Sequence, residues 1–298
     1  MSIEDTTDPT ESPSCEKGVL MDEFYKLPIY ESPSVSEFNP TSEIAIHRVG
    51  WSGGIITLVA TVRDSRQLTI TYQGAIERDK HSIPFFHRLV SRKRSDESFI
   101  VFADPTLELH PELGLGWYIG AEKADPGPTF IEIVRKMQDI SNAEAVAFCG
   151  ASGGGFAALQ HSSEYPGSIA VAFNPQTDVY QYYRGHRERL LAAAFPGHTV
   201  ESARDAYERR LSVLPRYREP MVNRVRYVMN QGDTHHIDKH LGPFASIFGL
   251  ETTGGRTEDG LVEIIPIDLG EGHVSPPQDV FESEVAAAYE SLGFPKLS

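Results

Sequence analysis

At 298 residues, 40% of them apolar, the chain is long enough for one large α/β domain or two small ones around a substantial core. Its 42 acidic residues against 27 Lys and Arg leave a net charge of −15, which argues against general nucleic-acid binding and against attraction to anionic membranes. Two cysteines, Cys15 in a polar tail and Cys149 in an apolar run, argue against a structural disulfide.

Residues 1–40 are rich in Ser, Thr, Pro, Glu and Asp and read as a flexible acidic N-terminal segment, ordered from about Val19 where it meets the rest. The opening Met1-Ser2-Ile3-Glu4-Asp5 has neither a basic region nor an apolar stretch. No secretory signal is therefore expected, no run has the length of a membrane span, and a cytoplasmic location is the default. From 41 to 298 the pattern is that of one domain. Strand-like runs occur at 43–49, 54–62, 67–74, 98–104, 145–149, 168–173, 225–230 and 261–267, eight in all. Hairpin-like connections at Ser52-Gly53-Gly54 and 63–66 suggest that the first strands are antiparallel. Helical patterns fall at 81–94, 129–140, 154–164 and 279–292. Strands alternating with helices predict an α/β fold, a mostly parallel sheet covered on both faces.

Between 178 and 222 no strand pattern occurs. This stretch is locally basic, and helices fit 184–194 and 200–211. It reads either as a helical cap that meets an anionic or polyhydroxylated substrate, with Tyr183 and Arg184 as candidate contacts, or as a solvated excursion whose arginines pair with acidic neighbours.

The richest signal lies mid-chain. The apolar run Ala145-Val146-Ala147-Phe148-Cys149 breaks into small residues and resumes as a helix former from Gly154. At the break stands Gly150-x-Ser152-x-Gly154, the pattern of a nucleophile elbow, in which a strained strand-to-helix turn lifts a serine hydroxyl above a sheet. The plainer alternative is an ordinary glycine-rich βα turn. A dinucleotide-binding turn would need a glycine at Ser152 and an acidic residue after the next strand, where Asn174-Pro175 stands instead.

A nucleophilic serine needs a base, and the base an orienting acid. His273 follows the last strand on a glycine-flanked loop, at the sheet edge where open α/β sheets place their ligands. Asp233 comes three residues after the strand 225–230 and is the first choice for the acid; Asp178 and Asp238 are the substitutes. The histidines in His235-His236-Ile237-Asp238-Lys239-His240 have ligand-like spacing, yet no H-E-x-x-H pattern is present, so a loop-shaping role is preferred and no metal is expected.

Serine elbow, Asp233 and His273 in that chain order resemble the α/β-hydrolase family over residues 43–298. The resemblance implies an eight-stranded α/β-hydrolase fold with a helical cap insertion, a Ser-His-Asp triad and no cofactor. It also implies an oxyanion hole from the N–H of Gly153 and a second N–H near Gly74 or Ala75, although Gln73-Gly74 replaces the family's common His-Gly. The stretches 103–109 and 113–120 resemble a bacterial subgroup found beside cell-surface glycan or accessory secretion functions. That implies a carbohydrate or glycoconjugate substrate, with Trp117 and Tyr118 as a sugar-stacking wall; the competing reading makes them core aromatics under a long loop. The expected activity is serine ester hydrolysis. The alternatives are acyl transfer to a sugar hydroxyl and a non-catalytic binding role in a glycan or secretion assembly. Oligomeric state is left open.

Overall fold

In the strand Ile169–Phe173, side chains alternate between two cores. Ala170 and Ala172 pack with Phe156 and Leu159, while Ile169, Val171 and Phe173 pack with Phe281 and Val285. Phe156 and Leu159 belong to the helix Gly153–Ser162, and Phe281 and Val285 to the helix Gln278–Ser291. The sheet is thus buried on both faces here, which explains why 145–149 and 169–173 read as unbroken apolar runs.

The computed structural model describes residues 20–294. Its strands are β1 (Leu20–Met21), β2 (Pro28–Ser32), β3 (Ala45–Trp51), β4 (Gly54–Thr61), β5 (Gln67–Tyr72), β6 (Ser98–Phe102), β7 (Ala145–Ala151), β8 (Ile169–Phe173), β9 (Arg224–Asn230), β10 (Gly255–Arg256) and β11 (Val262–Ile267). They form one sheet in the order β1-β2-β3-β4-β6-β5-β7-β8-β9-β11-β10. The block from β6 to β11 is parallel throughout. β3 and β4 pair antiparallel, as do β4 and β6, β1 and β2, and β10 and β11.

The sheet is therefore mixed and has eleven strands. Each of the eight apolar runs coincides with a strand; β1, β2 and β10 are additional. β1 and β10 are two residues long, and β2 is partly exposed, so none carries a strong apolar period. Of the acidic lead-in, residues 1–19, including Cys15, lie outside the described residues, while Pro28–Ser32 pairs in parallel with β3.

The helix expected over 81–94 shrinks to Leu89–Arg92. Pro84 explains the loss, because its ring has no N–H to donate and biases the preceding residue away from the helical region. Between β8 and β9 lie the helices Arg184–Ala194, Val200–Leu211 and Leu214–Tyr217. β7 sits between β5 and β8, with β9 and then β11 beyond. The loops leaving the carboxyl ends of these parallel strands converge, which brings residues 73–75, 152, 174–176, 231–233 and 268–273 to one rim.

Candidate active site

Ser152 follows β7 with φ 56° and ψ −121°, a conformation that strains any residue with a side chain. Such strain is of order 1–3 kcal/mol and persists only where the surroundings over-determine it. Here the Ser152 N–H donates to the Phe173 carbonyl at 2.9 Å. A Cβ at Gly150 would collide with the Gly154 backbone, and one at Gly154 would stand 2.5 Å from the Tyr72 oxygen. Glycine at both positions lets the turn close against β5. The helix Gly153–Ser162 begins at the next residue, so its positive end and unpaired N–H groups lie beside the serine.

Asp233 caps the one-turn helix Thr234–His236 and is 3% exposed. One carboxylate oxygen accepts from His273 Nδ1 at 2.6 Å. The other accepts from His236 Nδ1 at 3.0 Å and from the His236 backbone N–H at 3.2 Å. Burial pushes this carboxyl up, but the hydrogen bonds from His236 and His273 outweigh it and hold the group well below the usual carboxylate range. The two imidazoles stack, with centroids 4.1 Å apart and planes 10° from parallel.

Asn230 and Asn174 fasten the loop that carries His273. Asn230, at the end of β9, donates to the carbonyls of Gly270 and Gly272, both at 2.9 Å, and accepts from Leu269 N. Asn174 accepts from Asn230 N at 2.7 Å and donates to the Val274 carbonyl.

The two imidazoles differ in their remaining nitrogen. His236 Nε2 meets Gln176 Nε2 at 2.8 Å, and the same Gln176 nitrogen lies 2.9 Å from Ser152 Oγ. Trp117 Nε1 contacts Gln176 Oε1 at 3.1 Å. An indole N–H is a donor only, so the Gln176 oxygen must face Trp117 and its NH₂ must face the serine and His236. His236 Nε2 is then an acceptor, its proton sits on Nδ1 toward Asp233, and the ring is neutral. Burial, which lowers the His236 pKa, agrees with that state. His273 Nδ1 also donates to Asp233, and its Nε2 makes no hydrogen bond among the described residues. Its side chain is 29% exposed and borders the cavity that Ser152 borders. Among the described residues no hydrogen bond joins Ser152 to His273; such contacts commonly tighten when substrate binds.

That cavity, about 320 Å³, is also lined by Gly74, Ala75, Tyr182, Phe85, His81 and His87. A Cβ at Gly74 would lie 3.0 Å from the Ala151 carbonyl and 3.5 Å from Ser152 Cβ, so this backbone abuts the elbow. The N–H groups of Gly74, Ala75 and Gly153 donate to no acceptor among the described residues. The Gln73 N–H is already taken by the Tyr118 hydroxyl at 2.6 Å. Burial pushes the Tyr182 phenol up to about 12, so it remains a protonated donor beside Ser152.

Several expectations need correction. Trp117 and Tyr118 are no sugar-stacking wall: both are fully buried, with Trp117 behind Gln176 and Tyr118 donating to the Phe102 carbonyl. Tyr183 and Arg184 do not border the cavity; Tyr183 stacks on His235, and Arg184 pairs with Glu188 in solvent. The arginines of the segment between β8 and β9 mostly hold that segment in place. Arg204 pairs with Asp178, Arg209 with Glu219 and Arg216 with Glu164, while Arg210 donates to the carbonyls of Ile119, Ala121 and Glu122. Asp178 is thereby engaged with the cap, and Asp238 is exposed.

In the histidine cluster, His236 has both ring nitrogens engaged and His240 Nδ1 accepts from Thr177 N. Asp233, His236 and His273 do bring three ligand-type atoms together. The Nδ1 atoms of both imidazoles already hydrogen-bond the carboxylate, so each would have to give up that bond to hold a cation.

No protein-family profile matches the sequence, nor does any curated protein. Solved structures do. The capsule O-acetyltransferase of Neisseria meningitidis serogroup A superposes with a TM-score of 0.59 at 14% identity, covering 92% of this chain and 96% of that one. The Glycosylation Associate Protein (Gap123) complex from Streptococcus agalactiae gives 0.60 at 13% identity, covering 84% and 47%. Prolyl oligopeptidase B from Galerina marginata gives 0.54 at 16% identity, covering 86% and 38%. The fold is α/β-hydrolase-like. At these identities the likeness speaks of fold alone. Among the described residues, no helix is long and apolar enough to cross a membrane.

Gln176 and the hydrogen-bonding role of His236 escaped sequence reasoning. The available signal was positional: Asn174-Pro175-Gln176 follows the strand beside the nucleophile strand at its carboxyl end.

Proposed function

We propose that the protein catalyses acyl transfer through a covalent acyl-serine on Ser152, with His273 as general base and acid and Asp233 as its orienting acid. The observation that carries this reading is the Asp233–His273 hydrogen bond, which engages Nδ1 and keeps Nε2 for the serine, on a ring that borders the same cavity as a strained elbow serine. In the first step the Ser152 Oγ–H gives its proton to His273 Nε2 as Oγ bonds the acyl carbon. The carbonyl electron pair moves onto oxygen, toward the N–H groups of Gly153 and of Gly74 or Ala75. Collapse breaks the bond to the leaving group, which takes the proton from His273. The second step reverses these roles with an acceptor hydroxyl.

Water as acceptor makes the protein an ester hydrolase. A sugar hydroxyl makes it an O-acyltransferase, and the end-to-end likeness to a capsule O-acetyltransferase supports this second reading and a carbohydrate or glycoconjugate substrate. Fluorophosphonate labelling with intact mass tests the acyl-serine: one adduct on the wild type, absent from Ser152→Ala, is expected. A folded wild type that stays unlabelled sinks it and brings forward a binding role. Product analysis with an acetyl ester, with and without an oligosaccharide acceptor, then separates hydrolysis from transfer.

A further inference from the structure

Gln176 belongs to no recognised motif, yet its side chain hydrogen-bonds the candidate nucleophile at 2.9 Å. It is fully buried, and each of its polar atoms has an assigned partner: the Trp117 indole on Oε1, Ser152 Oγ and His236 on Nε2. Neither Trp117 nor His236 is exposed, so the amide cannot turn over without burying two mismatched pairs.

We propose that Gln176 is a further catalytic residue, donating an N–H to Ser152 Oγ through both halves of the acyl-transfer cycle, with Trp117 and His236 as positioning residues that lock its amide. The inference rests on the acyl-serine reading above. A hydroxyl oxygen has two lone pairs and one proton. Once the proton is turned to His273 Nε2 and Tyr182 gives up its contact with the serine, the lone pair that Gln176 does not hold is free for the acyl carbon. In the second half, the acceptor oxygen bonds the acyl carbon while its proton passes to His273. The carbon–Oγ bond then breaks with its electron pair on Oγ, and Oγ recovers the proton from His273. The Gln176 N–H faces Oγ just as negative charge gathers there, and being preorganised it needs no rearrangement. His236 extends the same framework to Asp233, so serine and acid are tied by a route that bypasses His273.

The test compares wild type with Gln176→Ala, Gln176→Glu and Trp117→Phe, by the rate of fluorophosphonate labelling of Ser152 and by turnover of phenyl acetate. Gln176→Glu keeps the shape and still accepts from Trp117 but has no N–H for Oγ. Both Gln176 variants should label and turn over about 10–100-fold more slowly, with KM within about twofold. Trp117→Phe, which keeps a ring but removes the lock, should fall between them and wild type. Thermal melting checks the fold, and if Gln176→Ala melts early the near-isosteric Glu variant decides. Wild-type rates in a folded Gln176→Glu overturn the proposal, as does a loss that appears only in KM. A wild type that neither labels nor turns over refutes the acyl-serine reading itself, and this inference falls with it.

Discussion

Replacing Asp233 with Asn separates an orienting acid from a merely structural cap. The carboxylate accepts three donors: His273 Nδ1 at 2.6 Å, His236 Nδ1 at 3.0 Å and the His236 N–H at 3.2 Å. An asparagine amide has one oxygen, so its NH₂ must face one of the two imidazoles. If it faces His273, Nδ1 becomes a lone pair, the proton moves to Nε2, and that nitrogen no longer accepts the serine proton. If it faces His236, the proton shifts to His236 Nε2 and meets the Gln176 N–H, donor against donor. One outcome disables the base, and the other breaks the buried network. A wrong-tautomer base costs about 10³–10⁴ in kcat, or about 4–5.5 kcal/mol of barrier. The assay is steady-state hydrolysis of an activated acetate ester, with serine labelling as a second readout and circular dichroism to confirm the fold. Activity within about tenfold of wild type in a folded Asp233→Asn would refute the assignment of Asp233.

Other expectations follow from the same geometry. Ser152→Gly relieves the strain at φ 56° and should raise Tm by a few degrees for about 1 kcal/mol gained while abolishing labelling; a lower Tm would show that the elbow is not strained. Asn230→Ala strands the carbonyls of Gly270 and Gly272 and should cost about 2–4 kcal/mol by urea melts and slow the ester assay; unchanged stability contradicts the clamp. Arg204→Ala leaves the buried Asp178 without its cation and should hasten limited proteolysis of the cap, whereas Arg184→Ala, which breaks only a solvent-exposed pair, should change stability by no more than about 0.5 kcal/mol; equal effects would overturn the ranking. Burial lowers His161 to about 3 and His47 to about 4, so the unfolded chain binds these protons below the ordinary value of 6.5 while the fold does not. Stability present above pH 6.5 should therefore decline as pH falls toward 4 and on toward 3, read as falling urea midpoints; a flat profile across that window would be inconsistent with neutral buried imidazoles.

The centre of the sheet was legible because burial on both faces favours unbroken apolar runs, which β7 and β8 carry, while β5 and β9 mix apolar with polar residues and were read from alternation and β-branched content. The places of Ser152, Asp233 and His273 after the carboxyl ends of β7, β9 and β11 were legible in the sequence. Gln176 was not, since a glutamine acquires its role only from what surrounds it, here a tryptophan and a histidine 59 and 60 residues away in sequence. Trp117 and Tyr118 misled for a related reason. Aromatics in a glycine-rich loop look exposed, whereas both adopt positive φ, at 54° and 62°, on a turn folded into the core. The cap helices were readable from their period, but the partners of their arginines lie in distant segments such as Glu122 and Glu164 that no local pattern connects.

The two outermost strands give the sheet a property unrelated to chemistry. β1 and β10 are each two residues long, so at either border the ladder runs for only about 7 Å before it stops. Each stub covers only part of the longer strand behind it: β1 pairs with Pro28 and Ile29 of β2, and β10 with Glu263 and Ile264 of β11. A wide sheet is ordinarily a template for edge-to-edge pairing, and very short edge strands are one of the devices that blunt it.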